Sequence, residues 1–158
     1  MPKVSAGLLA YRQRPGHLLE VLLVHPGGPL WRHKDAHAWS IPKGEYAEDE
    51  EPLHAAEREF GEELGVEAPA GPRVDLGTIR QASGKQVRCW AIEATALHID
   101  QVVSNQFEME WPLKSGRFAM FPEVDRAEWM TLDDARPRIV AAQAAFFDRL
   151  LTALAEQG

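Results

Sequence analysis

The stretch Gly44–Val66, GEYAEDEEPLHAAEREFGEELGV, constrains this chain more than any other. It joins an acidic turn to a segment with helical periodicity. Pro52 suits a first helical turn, where its missing N–H costs nothing. Leu53, Ala56, Phe60 and Leu64 recur at spacings of three and four and form one apolar stripe, and Gly65 stands where a left-handed C-terminal cap is expected. The pattern predicts an amphipathic helix from Pro52 to about Leu64.

Glu59, Glu62 and Glu63 lie at i, i+3 and i+4, so at helical pitch their carboxylates project from one face beside the apolar stripe. Like charges four apart cost about 0.2–0.5 kcal/mol when solvated and more when partly buried, and a hard divalent cation compensates them. Arg58 is one turn from Glu62, in reach for a charge-assisted hydrogen bond. The competing reading of such a run is a solvated acidic face.

The whole spacing separates the two. Gly44, five residues, Glu50, seven residues, Arg58-Glu59-Phe60, one residue, Glu62-Glu63, one residue, Gly65-Val66 resembles the signature of the Nudix hydrolases at every fixed position. The resemblance implies an α/β/α sandwich around a mixed β-sheet. It also implies dependence on Mg²⁺ or Mn²⁺, and hydrolysis of a nucleoside diphosphate linked to a further group. Just upstream, Trp39-Ser40-Ile41-Pro42-Lys43-Gly44 resembles the W-x-x-P-K-G version found in NTP pyrophosphohydrolases and diadenosine polyphosphate hydrolases. Lys43 and Gly44 are therefore the candidate substrate-phosphate contacts, with an exposed turn lysine as the plain alternative for Lys43.

At 158 residues and 45% apolar composition, the chain suffices for one domain with a real core, taken here as 1–158. A net charge of −7 argues against a general nucleic-acid-binding surface, and a phosphorylated small molecule must be met by local cations. A single cysteine, Cys89, excludes an internal disulfide and a cysteine-rich zinc site. No apolar run is long enough to span a membrane and no leader pattern opens the chain, so a soluble cytoplasmic protein is expected.

Along the chain, the apolar runs Val4 to Tyr11 and Leu18 to Val24 read as a hairpin-like strand pair buried on two faces. His25 to Ala38 is loop-like and carries Arg32, Lys34 and Trp31, a stacking candidate, whereas Trp39 reads as core. His33 and His37 lack the HExxH context of a zinc site. Val74 to Arg80 and Val87 to Leu97 predict an antiparallel pair around Ser83-Gly84-Lys85. Residues 98–122 show no clean periodicity and read as one long loop. Glu123 to Met130 predicts a last strand, Leu132 to Ala135 a helical turn, and Arg138 to Ala155 one long helix covering the sheet.

By resemblance, the metal ligands are Glu59, Glu62 and Glu63, and Arg58 orients the acids with Glu50 in an outer shell. The general base is Glu59 or an additional acid just before the last strand. Glu123, six residues ahead of Trp129, has that spacing, and Glu108 and Glu110 are its rivals. The expected substrate is an NTP or a dinucleoside polyphosphate. An inositol pyrophosphate, a nucleotide sugar, or a Nudix-fold module that binds without hydrolysis are the alternatives. Tyr11, Trp31 and Phe118 are the aromatic candidates for touching a base.

Overall fold

The apolar strands form the middle of a mixed sheet because their side chains alternate between two covered faces. The computed structural model describes residues 3–99 and 101–157. Strands β1 (Val4–Arg12), β2 (Glu20–Pro26), β4 (Val74–Arg80), β5 (Gln86–Glu93) and β8 (Val124–Thr131) stand in the order β4-β5-β1-β2-β8, with β3 (Lys43–Glu45) paired to β1. β1 runs parallel to β5, while β1–β2, β1–β3, β2–β8 and β4–β5 are antiparallel. Ala6, Leu8, Ala10, Leu22 and Val24 pack on helix α1 (Pro52–Leu64) through Ala55, Ala56, Phe60 and Leu64. Leu9, Tyr11, Val21 and Leu23 face the other way, onto Phe146, Phe147 and Leu150 of α3 (Ala145–Gln157). The result is the expected α/β/α sandwich.

One departure from regular pairing builds the site. β1 and β2 pair only at Tyr11↔Val21 and Arg12↔Glu20. Beyond that point residues 39–45 are wedged between the two strands. Ser40 and Val24 exchange backbone hydrogen bonds, Leu8 N–H donates to Pro42 O, and β3 lies on Ser5–Gly7. The wedge carries Lys43 and Gly44 under α1.

Helix α1 has the predicted bounds. Pro52 opens it, and Gly65, at φ 77°, closes it by donating its N–H to Gly61 O at 2.8 Å. The last strand and the turn α2 (Leu132–Ala135) lie close to where expected, as does the β4–β5 hairpin except that β5 ends at Glu93 and not at Leu97.

Two expectations are corrected. Residues 98–122 are not one loop, because Gln106–Glu110 (β6) and Phe118–Pro122 (β7) form an antiparallel hairpin apart from the main sheet. Nor is Arg138 to Ala155 one helix. Ile139 bridges to Trp39, a 3-10 turn spans Ala141–Ala144, and only then does α3 begin. The cause is Gln143, whose buried side chain accepts from Ile41 N–H at 3.0 Å and donates to Ser40 Oγ and Gln81 Oε1 at 3.0 Å each. Tying residues 39–41 to this segment meets polar demands that a continuous helix would leave open. Among the described residues no helix is long and apolar enough to cross a membrane.

Candidate active site

Burial of Phe60, Ala56 and Leu64 fixes the roll of α1 and turns the neighbouring Glu59 and Glu63 toward the 39–45 wedge. Glu63 Oε2 accepts the Lys43 backbone N–H at 3.0 Å. The Glu59 carboxylate packs on Gly44 so closely that a Cβ at that position would overlap it. The glycine of the motif is thus a requirement of close approach.

Arg58 is the hub of the remaining acids. Its guanidinium donates to both Glu50 oxygens, at 2.8 and 2.9 Å, to Glu59 at 2.9 Å, and to both Glu62 oxygens at 3.2 Å. These bonds, led by Glu50, raise the Arg58 pKa above its ordinary value. Arg58 thus meets Glu50, Glu59 and Glu62 at once, and Glu50, with both oxygens on the guanidinium, is its anchor.

Burial raises the pKa of Glu59 and pushes that of Glu63 up to about 8, and Glu123 adds like-charge repulsion to both. Lys43 moves the other way. Burial and the neighbouring Lys85 lower its pKa against the pull of Glu63, Glu45 and Glu59. The Lys43 ammonium therefore lies within electrostatic reach of Glu63, Glu45 and Glu59 on one side and of Lys85 on the other. Lys85, whose Nζ lies 3.4 Å from Glu45 Oε1, comes to this place from the β4–β5 turn. In the sequence it reads equally well as a solvated turn residue.

A cavity of about 420 Å³ opens beside the acids between the 26–31 loop and β6. Trp31 and Leu30 form one wall, Phe107 and Met109 the other, and Glu123 lies in its lining. Trp31 is thus brought to the site. Tyr11 is not, because it is buried in the core on the α3 side, and Phe118 is 63% exposed at the outer surface of the hairpin and does not line the cavity. Glu110 is spent on its own hairpin, accepting from the Lys114 and Gly116 N–H groups at 3.0 and 3.1 Å. Glu108 lies in the hairpin register opposite Met120 and is exposed. Sequence reasoning missed Phe107 and Met109. The only signal for them is the alternation of apolar residues at 107 and 109 within a segment otherwise rich in polar groups.

The loop carrying Trp31 is tethered from below. The ring nitrogens of fully buried His25 lie 2.9 Å from Asp125 Oδ1 and 2.6 Å from Lys34 O, and Trp39 Nε1–H donates to Asp35 at 2.8 Å. Burial of Trp39 agrees with its reading as core.

Among the described residues no three His, Cys, Asp or Glu side chains are gathered tightly enough to hold an ion as they stand, since Glu62 is drawn to Arg58 and Glu63 to the Lys43 N–H. The donor chemistry nevertheless fits a hard cation. The groups are carboxylates alone, and two of them are held in a state that added positive charge would relieve.

The NUDIX domain model matches residues 1–150. A comparison with curated proteins returned no match. Among solved structures, the C. elegans Ap4A hydrolase in a binary complex is similar at 22% identity, with 96% of this chain and 98% of that chain covered and a TM-score of 0.64. The NUDIX domain of Shewanella oneidensis NrtR, complexed with ADP ribose, is similar at 16% identity, 98% and 89% coverage and a TM-score of 0.65. A Nudix hydrolase from M. smegmatis, RenU, follows at 23% identity, 99% and 88% coverage and a TM-score of 0.60. At these identities the structural likeness concerns the fold, whereas the domain match spans nearly the whole chain. The chain belongs to the Nudix family and, with every fixed position of the hydrolase motif present, is a pyrophosphohydrolase.

Proposed function

We propose that this protein hydrolyses a nucleoside triphosphate or a dinucleoside polyphosphate with Mg²⁺ or Mn²⁺ as cofactor, and that it works in the cytoplasm. The observation that carries the reading is the burial of two carboxyl groups, Glu59 and Glu63, against the Lys43–Gly44 backbone, with the Lys43 ammonium within electrostatic reach and Lys85 next to it. Nothing in packing alone rewards that arrangement, but a cation and a polyphosphate satisfy both halves of it. Cys89, buried and unpaired, accords with a reducing compartment.

Glu59, Glu62 and Glu63 would hold the cation. Bound there, it would neutralise phosphate charge and make a water more acidic. Lys43 and Lys85 bind phosphate oxygens and steady the chain of the substrate. Arg58, anchored on Glu50, keeps Glu59 and Glu62 at fixed positions. Water attacks phosphorus, the phosphoric anhydride P–O bond breaks, and the proton passes to a carboxylate. Glu123 suits that last role better than Glu59, being exposed at the cavity and outside the reach of Arg58. Glycines beside a nucleotide-sized cavity support a nucleotide over an inositol pyrophosphate, whose many phosphates would want more cations than Lys43 and Lys85.

The test is a screen of phosphorylated metabolites with Mg²⁺, with Mn²⁺ and with chelator, reading released phosphate and pyrophosphate. Turnover of nucleoside polyphosphates that chelator abolishes is expected. Full turnover in excess chelator, or none on any nucleotide, sinks the proposal.

A further inference from the structure

Strand β8 carries one residue more than its partner can match. Its register with β2 is regular from Glu20↔Thr131 to His25↔Arg126 and then jumps to Pro26↔Val124, so Asp125 stands opposite no residue. An extra residue in one strand of an antiparallel pair is a β-bulge, which bends the strand and re-aims the side chains beyond it.

The consequence falls on Glu123. Paired residues share a face of the sheet and successive residues alternate. Ala127, opposite Val24, lies on the α1 side, so a regular strand would send Asp125 and Glu123 to that side as well and Val124 to the other. The bulge inverts this order for Val124 and the residues before it. Val124 is buried in the α1-side core, and Glu123 turns the opposite way, into the lining of the cavity. Gly27 N–H then fixes the Glu123 backbone, donating to its carbonyl at 2.9 Å.

A buried ring holds the bulge in place. His25 is completely buried on the sheet face away from α1, with Nδ1 2.9 Å from Asp125 Oδ1 and Nε2 2.6 Å from Lys34 O. In a regular strand Asp125 would point to the α1 side, away from His25, and a polar ring nitrogen in the interior would lose its partner. The hydrogen-bonding need of His25 is therefore met only while the bulge persists. Lys34 belongs to the loop that carries Trp31, so the same ring ties that loop to β8. Ser104 Oγ meets the backbone groups of Val124, lying 3.1 Å from its N and 3.2 Å from its O.

We propose that the bulge at Asp125, pinned by His25, is what places Glu123 in the cavity, and that His25 and Asp125 are thereby positioning residues for the reaction. The placement stands on the geometry, and its bearing on catalysis rests on the reading of Glu123 as the proton acceptor. Neither His25 nor Asp125 lines the cavity, so their effect reaches the reaction through Glu123.

Crystal structures of the parent, Asp125→Ala and Asp125→Asn read the placement without any turnover. The Asp125 side chain is 28% exposed, so its truncation is compatible with folding. Asp125→Ala should lose the jump in register at Pro26 and carry Glu123 out of the cavity, since a one-residue slip moves side chains to the other face. Asp125→Asn should keep the bulge, because an amide can meet the His25 ring as donor or acceptor. His25→Phe, which keeps a ring without its hydrogen bonds, should act as Asp125→Ala does. Glu123 left in place in the Asp125→Ala crystals overturns the proposal.

Rates show whether the placement serves catalysis. Glu123→Gln should lower kcat about 10²- to 10⁴-fold, as loss of a general base does. Asp125→Ala should lower kcat about 10- to 100-fold with KM within about threefold of the parent, the signature of a displaced reacting group. Asp125→Asn should restore most of that loss. In the Glu123→Gln background Asp125→Ala should add less than about threefold, because a residue that acts through Glu123 has nothing further to lose there. Equal losses in the two backgrounds would make Asp125 a structural residue only, overturning the positioning role while Glu123 stays the base. Glu123→Gln with parental kcat would instead withdraw Glu123 from catalysis, and a displaced Glu123 in the Asp125→Ala crystals would still support the placement.

Discussion

The Glu59 carboxylate occupies the space in which a methyl group on Gly44 would lie. The position of Glu59 therefore depends on the absence of a side chain at Gly44, fifteen residues earlier in the chain. Gly44→Ala should push the carboxylate off its position at little cost to the sheet, because the atoms its Cβ would meet are the far end of the flexible Glu59 side chain and not backbone. A displacement near 1 Å in a reacting group costs about 10²-fold in rate. The expected result is a fall of kcat by about that factor with a Tm near the parent's. Unaltered kcat would show that Glu59 is not part of the reacting constellation.

Glu63 supplies the pH prediction. Its pKa is pushed from 4.5 up to about 8 by burial first and by the charges of Glu59 and Glu123 after it. Below pH 4.5 the group is protonated in folded and unfolded chains alike. Between 4.5 and about 8 the unfolded chain gives up its proton while the folded one keeps it, so the contribution to stability is lost as pH rises through this window and levels off above it. In chelator, Tm should fall across that interval. Glu63→Gln should flatten the slope, and Mg²⁺ should offset it in the parent by binding the ionised folded form. An identical slope in the variant would remove Glu63 from the account.

Lys43 and Lys85 are expected to behave alike. Burial and, after it, the nearby Lys85 depress the Lys43 pKa. Holding two ammonium groups together in a partly buried place is unfavourable unless an anion joins them. Lys43→Ala and Lys85→Ala should raise KM for a polyphosphate more than they lower kcat, as loss of uniform phosphate binding does. Steady-state kinetics on the best substrate would show it, and Lys85→Ala with parental KM would return that residue to solvent.

What the sequence disclosed follows from how local its determinants are. Helix α1, its cap and the acidic face were legible because spacing alone sets them, and residues Leu53 to Leu64 need no distant partner to declare their faces. The wedge at 39–45 was legible only as a short strand, since its insertion between β1 and β2 is decided by pairing with Ser5–Gly7 and Val24. The β6–β7 hairpin escaped because Phe118 and Met120, both exposed, erase the one-sided alternation that marks a half-buried strand. Gln143 hid in an alanine-rich helical pattern, and its role depends on Ile41, 102 residues earlier. The cavity beside the acids was half legible for the same reason: its Trp31 wall lies in a loop the sequence marked, and its Phe107 and Met109 wall comes from that hairpin.

The last prediction separates chemistry from folding within one turn of α1. Phe60 and Glu62 are two residues apart, yet Phe60 is completely buried in the α1-side core while Glu62 lies at the surface beside Arg58. Phe60→Ala removes a ring from a packed interior and should cost about 3–5 kcal/mol, a large share of the stability of a domain this size. Its Tm should drop steeply with or without Mg²⁺. Glu62→Gln should do the opposite. It relieves like-charge crowding in the cation-free protein and keeps a side chain that can still meet Arg58, so in chelator it should melt no lower than the parent. With a charged ligand lost, turnover should fall by about 10²–10⁴-fold, and the stabilisation by Mg²⁺ should shrink. Melting curves in chelator and in Mg²⁺, set beside turnover, decide the matter. A Glu62→Gln protein that keeps parental turnover and the full Mg²⁺ shift would mean that the acidic face of α1 serves Arg58 alone, and the cation would have to be sought elsewhere.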